Sequence, residues 1–188
     1  MVSAMGVATV RGLQGNKTDK SEHVLACVKH LVGGGQSVNG RNCAPFDASE
    51  RMLDEIFFPP FKACVEAGAS TLMAAHNELN GIPCHGNKFL LTEVLRDRWH
   101  FDGFVVSDWM DIERLYGQHR TAETPEEASV VSVNAGIDMH MHGPGFMKHI
   151  IDAVKNGQVS GKRVDDAVRK ILKAKFELGL FEDPFYDC

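Results

Sequence analysis

Four short polar clusters carry the side chains best suited to chemistry: Lys29-His30, His76-Asn77, Asp108-Trp109, and the pair His140 and His142. Each follows an apolar stretch. Asp108 is the sharpest, because it comes directly after Phe104-Val105-Val106, a run that reads as fully buried. A carboxylate there has two readings. It caps the next helix, or it lies at the bottom of a pocket and acts as a nucleophile. Trp109 beside it either fills the core or offers an aromatic face to a sugar ring. Lys29 and His30 are either solvated strand-end residues or a pair that holds hydroxyl groups. In the second reading their positive charge also keeps the carboxylate ionised.

The histidines open a different chemistry. His30, His76, His140 and His142, with Asp108, make a donor set that suits zinc or a similar ion. The His140-x-His142 spacing places both rings on one side of a strand. No HExxH motif accompanies them. Two glycine-rich stretches imitate nucleotide sites without meeting their requirements. Gly12-Leu13-Gln14-Gly15-Asn16-Lys17-Thr18 has two residues between its glycines where a phosphate loop needs four, and Gly33-Gly34-Gly35 lacks a GxGxxG register.

These clusters need elements to position them. Apolar runs at 24–28, 70–74, 101–106 and 136–141 read as strands. Helical stripes fall between and after them. Met52, Leu53, Ile56 and Phe57 recur at helical spacing behind a capping box at Asp47 and Glu50, and Pro59-Pro60 kinks or restarts that helix. Leu90, Leu91, Val94 and Leu95 form a second stripe. Thr124 and Pro125 open a third helix over 124–134. A last helix over 161–178 carries Val164, Val168, Ile171 and Leu172 on one face, closed by Gly179 and Pro184. Strand and helix alternate at a spacing that predicts about four βα units, one domain and a parallel sheet. In such architectures the C-terminal strand ends form the site-bearing rim.

Composition narrows the class. The chain has 188 residues, 44% hydrophobic and 24% charged, with 20 Lys and Arg against 25 Asp and Glu and a net charge of −5. These values fit a globular chain and exclude a collagen-like or disordered one. The acidic balance without a basic run argues against a nucleic-acid partner. No stretch of about 18 apolar residues suggests a membrane span. Met1-Val2-Ser3-Ala4-Met5 has neither the basic nor the apolar region of a signal peptide, so no compartment is assigned. The five cysteines are scattered without a CxxC pair, and Cys27 and Cys64 read as buried apolar residues. Asn16-Lys17-Thr18 fits a glycosylation sequon, a frequent chance match.

A set of motifs in order then resembles a known family. They begin with Val10-Arg11-Gly12-Leu13-Gln14-Gly15 and continue with Lys29-His30, Ser49-Glu50-Arg51 with Glu55, and Asn80-Gly81-Ile82-Pro83. The stretch 90–96 leads into Phe101-Asp102-Gly103-Phe104-Val105-Val106-Ser107-Asp108-Trp109, then Asn134-Ala135-Gly136-Ile137-Asp138-Met139 and Leu178-Gly179-Leu180-Phe181. The chain resembles the catalytic barrel of glycoside hydrolase family 3, of the β-glucosidase/β-xylosidase kind. The β-N-acetylglucosaminidase branch carries a longer Pro-Gly-His-Gly-Asp pattern after Lys-His, and here Leu31-Val32-Gly33 follows instead.

The resemblance implies an α/β fold of (β/α)8 barrel type, here the C-terminal half in about four βα units. It implies exo-acting, retaining hydrolysis of a terminal β-linked sugar without a cofactor. By analogy Asp108 is the nucleophile, Lys29 and His30 bind sugar hydroxyls, and Met73 and Trp109 wall the pocket. Arg114 lies where many members keep an arginine, and His76 stands where many have Tyr or Phe. The family's upstream half-barrel, with an Asp and an Arg for the same sugar, is not represented. Neither is the acid/base, which in this branch usually comes from a second domain. The expectation is therefore a glycoside hydrolase whose isolated chain is weak or inactive, and which self-associates or belongs to a longer protein. A noncatalytic sugar-binding remnant and a metal-dependent hydrolase are the alternatives.

Overall fold

The computed structural model describes residues 1–15 and 23–185. The tripeptide Asn16-Lys17-Thr18 and Cys188 lie outside the described residues. Helix α1 (Val2–Gln14) precedes strand β1 (Cys27–Leu31) and the short strand β2 (Pro45–Phe46). A helical run from Glu50 to Glu66 follows and ends in α2 (Phe58–Glu66). Its cap is Ser49, whose hydroxyl accepts the Met52 N–H, so the cap expected at Asp47 moves two residues along. The run widens to π-helix over Leu53–Phe57, just before Pro59-Pro60 in the first turn of α2. Proline offers no N–H to the preceding turn, and the restart falls where that shortage is felt.

Strand β3 (Thr71–Ala74), the hairpin of β4 (Glu78–Leu79) and β5 (Ile82–Pro83), and a π-helical run over Phe89–Arg98 come next. Asn80 and Gly81 turn the hairpin with φ of 51° and 79°, a conformation that Asn-Gly tolerates. Strand β6 (Phe104–Val106) leads through the rim to α3 (Asp111–Gly117), α4 (Pro125–Ala135), α5 (Phe146–Lys155) and α6 (Gly161–Glu177). The α4 cap is the expected one, with the Thr124 hydroxyl accepting the Glu127 N–H.

Strands β1, β3 and β6 form a parallel sheet in that order, with Leu72 opposite Val105 and Met73 opposite Val106. The expected fourth strand, 136–141, is reduced to one parallel bridge, Val106 to Met139. The Ser107 N–H donates to the Met139 carbonyl, but the next donor, Met141 N–H, goes to the Ser107 hydroxyl instead of a backbone carbonyl. The ladder therefore stops at the rim.

The core is the interface between this sheet and its helices. Leu72 and Val105 from the sheet, and Leu90, Leu91, Val94 and Leu95 from the π-helical run, are completely buried. Beneath the sheet, the Asp138 carboxylate accepts from Arg96 at 2.5 Å, Arg163 at 2.8 Å and the Val105 N–H at 2.9 Å. That cluster ties β6 to the π-helical run and to α6. One expectation of burial fails. Cys27 is exposed while Cys64 is buried, because β1 is the edge of the described sheet and its outer side is uncovered. On α6 the small Ala167 and Ala174 face inward, and Val168 and Leu172 are 46% exposed.

Candidate active site

The polar clusters converge where the parallel strands end. Asp108 sits two residues beyond β6 and is 9% exposed. It caps no helix through its side chain, since α3 begins at Asp111 with Met110 as its cap. Its backbone N–H donates to His85 Nε2 at 2.9 Å. Its Oδ1 accepts the Trp109 N–H at 2.6 Å. Its Oδ2 is buried and receives no fully directed hydrogen bond. Two imidazole nitrogens stand beside that oxygen: His76 Nε2 at 3.0 Å and His30 Nε2 at 3.2 Å. One carboxylate oxygen is thus anchored by a backbone N–H, and the other is buried between two imidazoles.

A layer of supporting groups lies behind. Asp111 is 2% exposed, and its Oδ1 is held by Arg114. Asp111 Oδ2 lies 2.7 Å from His76 Nδ1 and 3.3 Å from His85 Nδ1. Arg114 Nη1 also reaches His76 Nδ1 at 3.1 Å and donates to the Trp109 carbonyl at 2.8 Å. Burial pushes His85 down to about 4, against an opposing pull from Asp111, so its ring is neutral at ordinary pH. Burial lowers His30 as well, partly offset by Asp108.

Trp109 is not a core residue. It is 53% exposed and stacks face to face on His142, with ring centroids 4.0 Å apart and planes within 10°. The pair makes a flat aromatic platform next to the carboxylate. His140 goes elsewhere, packing on Phe146 and reaching Glu113 at 3.1 Å. The five-member metal set read from the sequence therefore splits. His30 and His76 meet Asp108, while His142 and His140 serve other partners. A different trio, Cys43, His76 and Asp111, brings donor atoms within 4.8 Å of one another. Arg114 already reaches two of the three, so a permanent cation holds the place a metal ion would take.

Among the other expected site residues, Lys29 is exposed in the middle of β1, which runs over Cys27–Leu31 instead of the expected 24–28, so Lys29-His30 lie within the strand and not after it. Met73 is buried in β3 opposite Val106. Arg114 faces inward toward Asp111 and His76. Sequence reasoning passed over His85 and Asp111. His85 follows a hairpin and ends no apolar run. Asp111 looks like an ordinary first-turn acid of α3. The one available signal was spacing, since Asp111 and Arg114 are three apart on a helix that starts at the rim.

Comparison with known proteins follows the same lines. The family model described as the glycosyl hydrolase family 3 N terminal domain matches residues 1–174. A beta-xylosidase of Formosa agariphila is 41% identical over 97% of this chain and 27% of its own length. A periplasmic beta-glucosidase of Salmonella typhimurium is 37% identical over 98% of this chain and 24% of its own. The crystal structure of a beta-glucosidase from Listeria innocua in complex with isofagomine superimposes with a TM-score of 0.93 at 36% identity, covering 97% of this chain and 26% of that one. The chain spans about a quarter of the length of these relatives.

Proposed function

Because this chain belongs to glycosyl hydrolase family 3, we propose that it carries the nucleophile side of a retaining hydrolase. The substrate class is a terminal, non-reducing β-linked sugar, as in β-glucosidases or β-xylosidases. The observation that carries the reading is the divided carboxylate of Asp108, with Oδ1 anchored to the Trp109 N–H and Oδ2 buried and flanked by two imidazoles.

In this reading Oδ2 attacks the anomeric carbon as the glycosidic C–O bond breaks. The product is a glycosyl ester of Asp108. A second carboxyl group protonates the leaving oxygen, then takes a proton from the water that hydrolyses the ester. Asp111 does not suit that role, because it is buried and held by Arg114. As the family resemblance implies, the proton donor comes from a second domain, and the chain alone is expected to be weak or inactive. His30 and Lys29 address sugar hydroxyls from β1, and Trp109 carries an apolar sugar face. Met73 supports the pocket wall from β3. His76 and Arg114 border the carboxylate.

The test is trapping with a 2-deoxy-2-fluoro glycosyl donor that bears a good leaving group, followed by peptide mass spectrometry. Label is expected on Asp108 and is lost in Asp108→Asn. Label at another residue, or equal label in the variant, refutes the assignment.

A further inference from the structure

Trp109 follows Asp108 with its backbone held on both sides. Its N–H donates to Asp108 Oδ1 at 2.6 Å, and its carbonyl accepts from Arg114 Nη1 at 2.8 Å. Its indole is exposed. An exposed ring on a fixed backbone still has two side-chain bonds to turn about. Here one neighbour removes that freedom. The His142 imidazole lies flat on the indole, with centroids 4.0 Å apart and planes within 10°. The loop that carries His142 is itself tied down at three points. The Met141 N–H donates to the Ser107 hydroxyl at 2.9 Å, and the His142 carbonyl accepts the Met110 N–H at 3.3 Å. Glu113 meets His140 at 3.1 Å and packs against Gly143, where a Cβ would overlap its carboxylate. All three anchors belong to the strand end and helix that flank Trp109, so the indole and its support share one frame.

We infer that His142 is a positioning residue, which holds the Trp109 indole in one rotamer beside Asp108 before any sugar arrives. The inference about the ring stands on these contacts, and its consequence for sugar binding rests on the glycoside hydrolase reading. In that reading a sugar packs its apolar face on the indole. An unsupported indole loses its side-chain freedom at that moment, and the affinity falls by that cost. The stack on His142 shifts the loss into folding. It also leaves one indole face for the sugar, because the imidazole covers the other. For this role His142 needs a flat ring and nothing more, neither a proton transfer nor a hydrogen bond to the sugar. A phenyl ring in its place serves, and a methyl group does not.

The experiment is 15N relaxation of the indole N–H groups in the full, 15N-labelled chain. The two indoles are Trp99 and Trp109, and the Trp109 signal is identified by its loss in Trp109→Phe. In the unsubstituted chain the Trp109 indole is expected to be as rigid as ordered backbone, with an order parameter of about 0.85. It is expected to fall below about 0.6 in His142→Ala and to recover in His142→Phe. Nuclear Overhauser contacts between the His142 ring and the Trp109 indole are expected in the unsubstituted chain. A mobile Trp109 indole there, absence of those contacts, or an indole equally rigid in His142→Ala overturns the inference. Spectra of the unsubstituted chain decide even if the alanine variant does not fold. Calorimetry with glucose and with xylose reads the consequence. Kd is expected to rise about 2- to 10-fold in His142→Ala and to recover in His142→Phe. An unchanged Kd beside a mobilised indole overturns the consequence for sugar binding. Absence of sugar binding by the unsubstituted chain, or of label on Asp108 in the trapping experiment, counts against the hydrolase reading, while the relaxation data still decide the positioning.

Discussion

The two oxygens of Asp108 have different neighbours, one a backbone N–H and the other two imidazoles, an arrangement that suits the nucleophile proposed for it. The Trp109 N–H holds Oδ1, and the strand end holds the backbone through His85. Trp109 is the next residue to test. Its exposed ring rests on His142, so Trp109→Ala removes a stacking surface without opening the core. Sugar affinity measured by calorimetry should fall by about 1 kcal/mol, a several-fold rise in Kd. An unchanged Kd removes Trp109 from the binding surface. His85 supplies a pH signature. Its ordinary value is 6.5 and its buried value is about 4. Between these limits the unfolded chain binds a proton that the folded chain refuses, so stability falls as the solution is acidified. The slope is at most about 1.4 kcal/mol per pH unit. Denaturant midpoints should drop across that window, and His85→Gln should flatten the drop. An equal slope in the variant assigns it to other groups.

At the scale of elements, the site depends on where β6 ends. Asp138 fixes that end from below, because one buried carboxylate joins the Val105 N–H to Arg96 and Arg163. Asp138→Ala leaves two guanidiniums without their partner, and a loss of about 3–5 kcal/mol is expected in urea unfolding. A loss under about 1 kcal/mol would show that the cluster is dispensable. Gly103 shows how tightly β6 approaches β3. A Cβ there would stand 2.1 Å from the Ser70 carbonyl oxygen, so Gly103→Ala must push the strands apart. Overpacking of this kind costs about 1–3 kcal/mol and should lower the melting temperature. The strands themselves were legible, since apolar runs before polar ends are a local pattern. The missing fourth strand was not. Its residues fit a strand, but the Ser107 hydroxyl takes the N–H that would have continued the ladder.

The whole molecule leaves apolar surface uncovered. Val168, Leu172, Phe176 and Phe181 line an open groove of about 720 Å³ along α6, and Phe176 is 62% exposed. Beyond β1, the described sheet has an unpaired edge. Both features favour association between copies of the isolated chain. Sedimentation velocity should show species larger than the monomer, and Leu172→Lys with Phe176→Lys should shift them toward it. A sharp, monodisperse monomer with cooperative melting would contradict this expectation. The periodicity of α6 placed Val168 and Leu172, both 46% exposed, on one face with Val164 and Ile171. It could not say that the inward side would be the alanines, because burial depends on what packs against a helix.

The sequence by itself determined the class of the fold, the family and the identity of the central carboxylate. Each of these is written in local patterns: apolar runs, their polar ends and motifs in fixed order. Tertiary structure decided which groups meet Asp108. His30, His76, His85 and Asp111 come from four separate segments, and only the parallel register of β1, β3 and β6 brings the strand-end residues among them to one rim. It also decided that Arg114 faces inward and that His140 turns away. A residue type offers donors and acceptors, and only its neighbours in space choose among them.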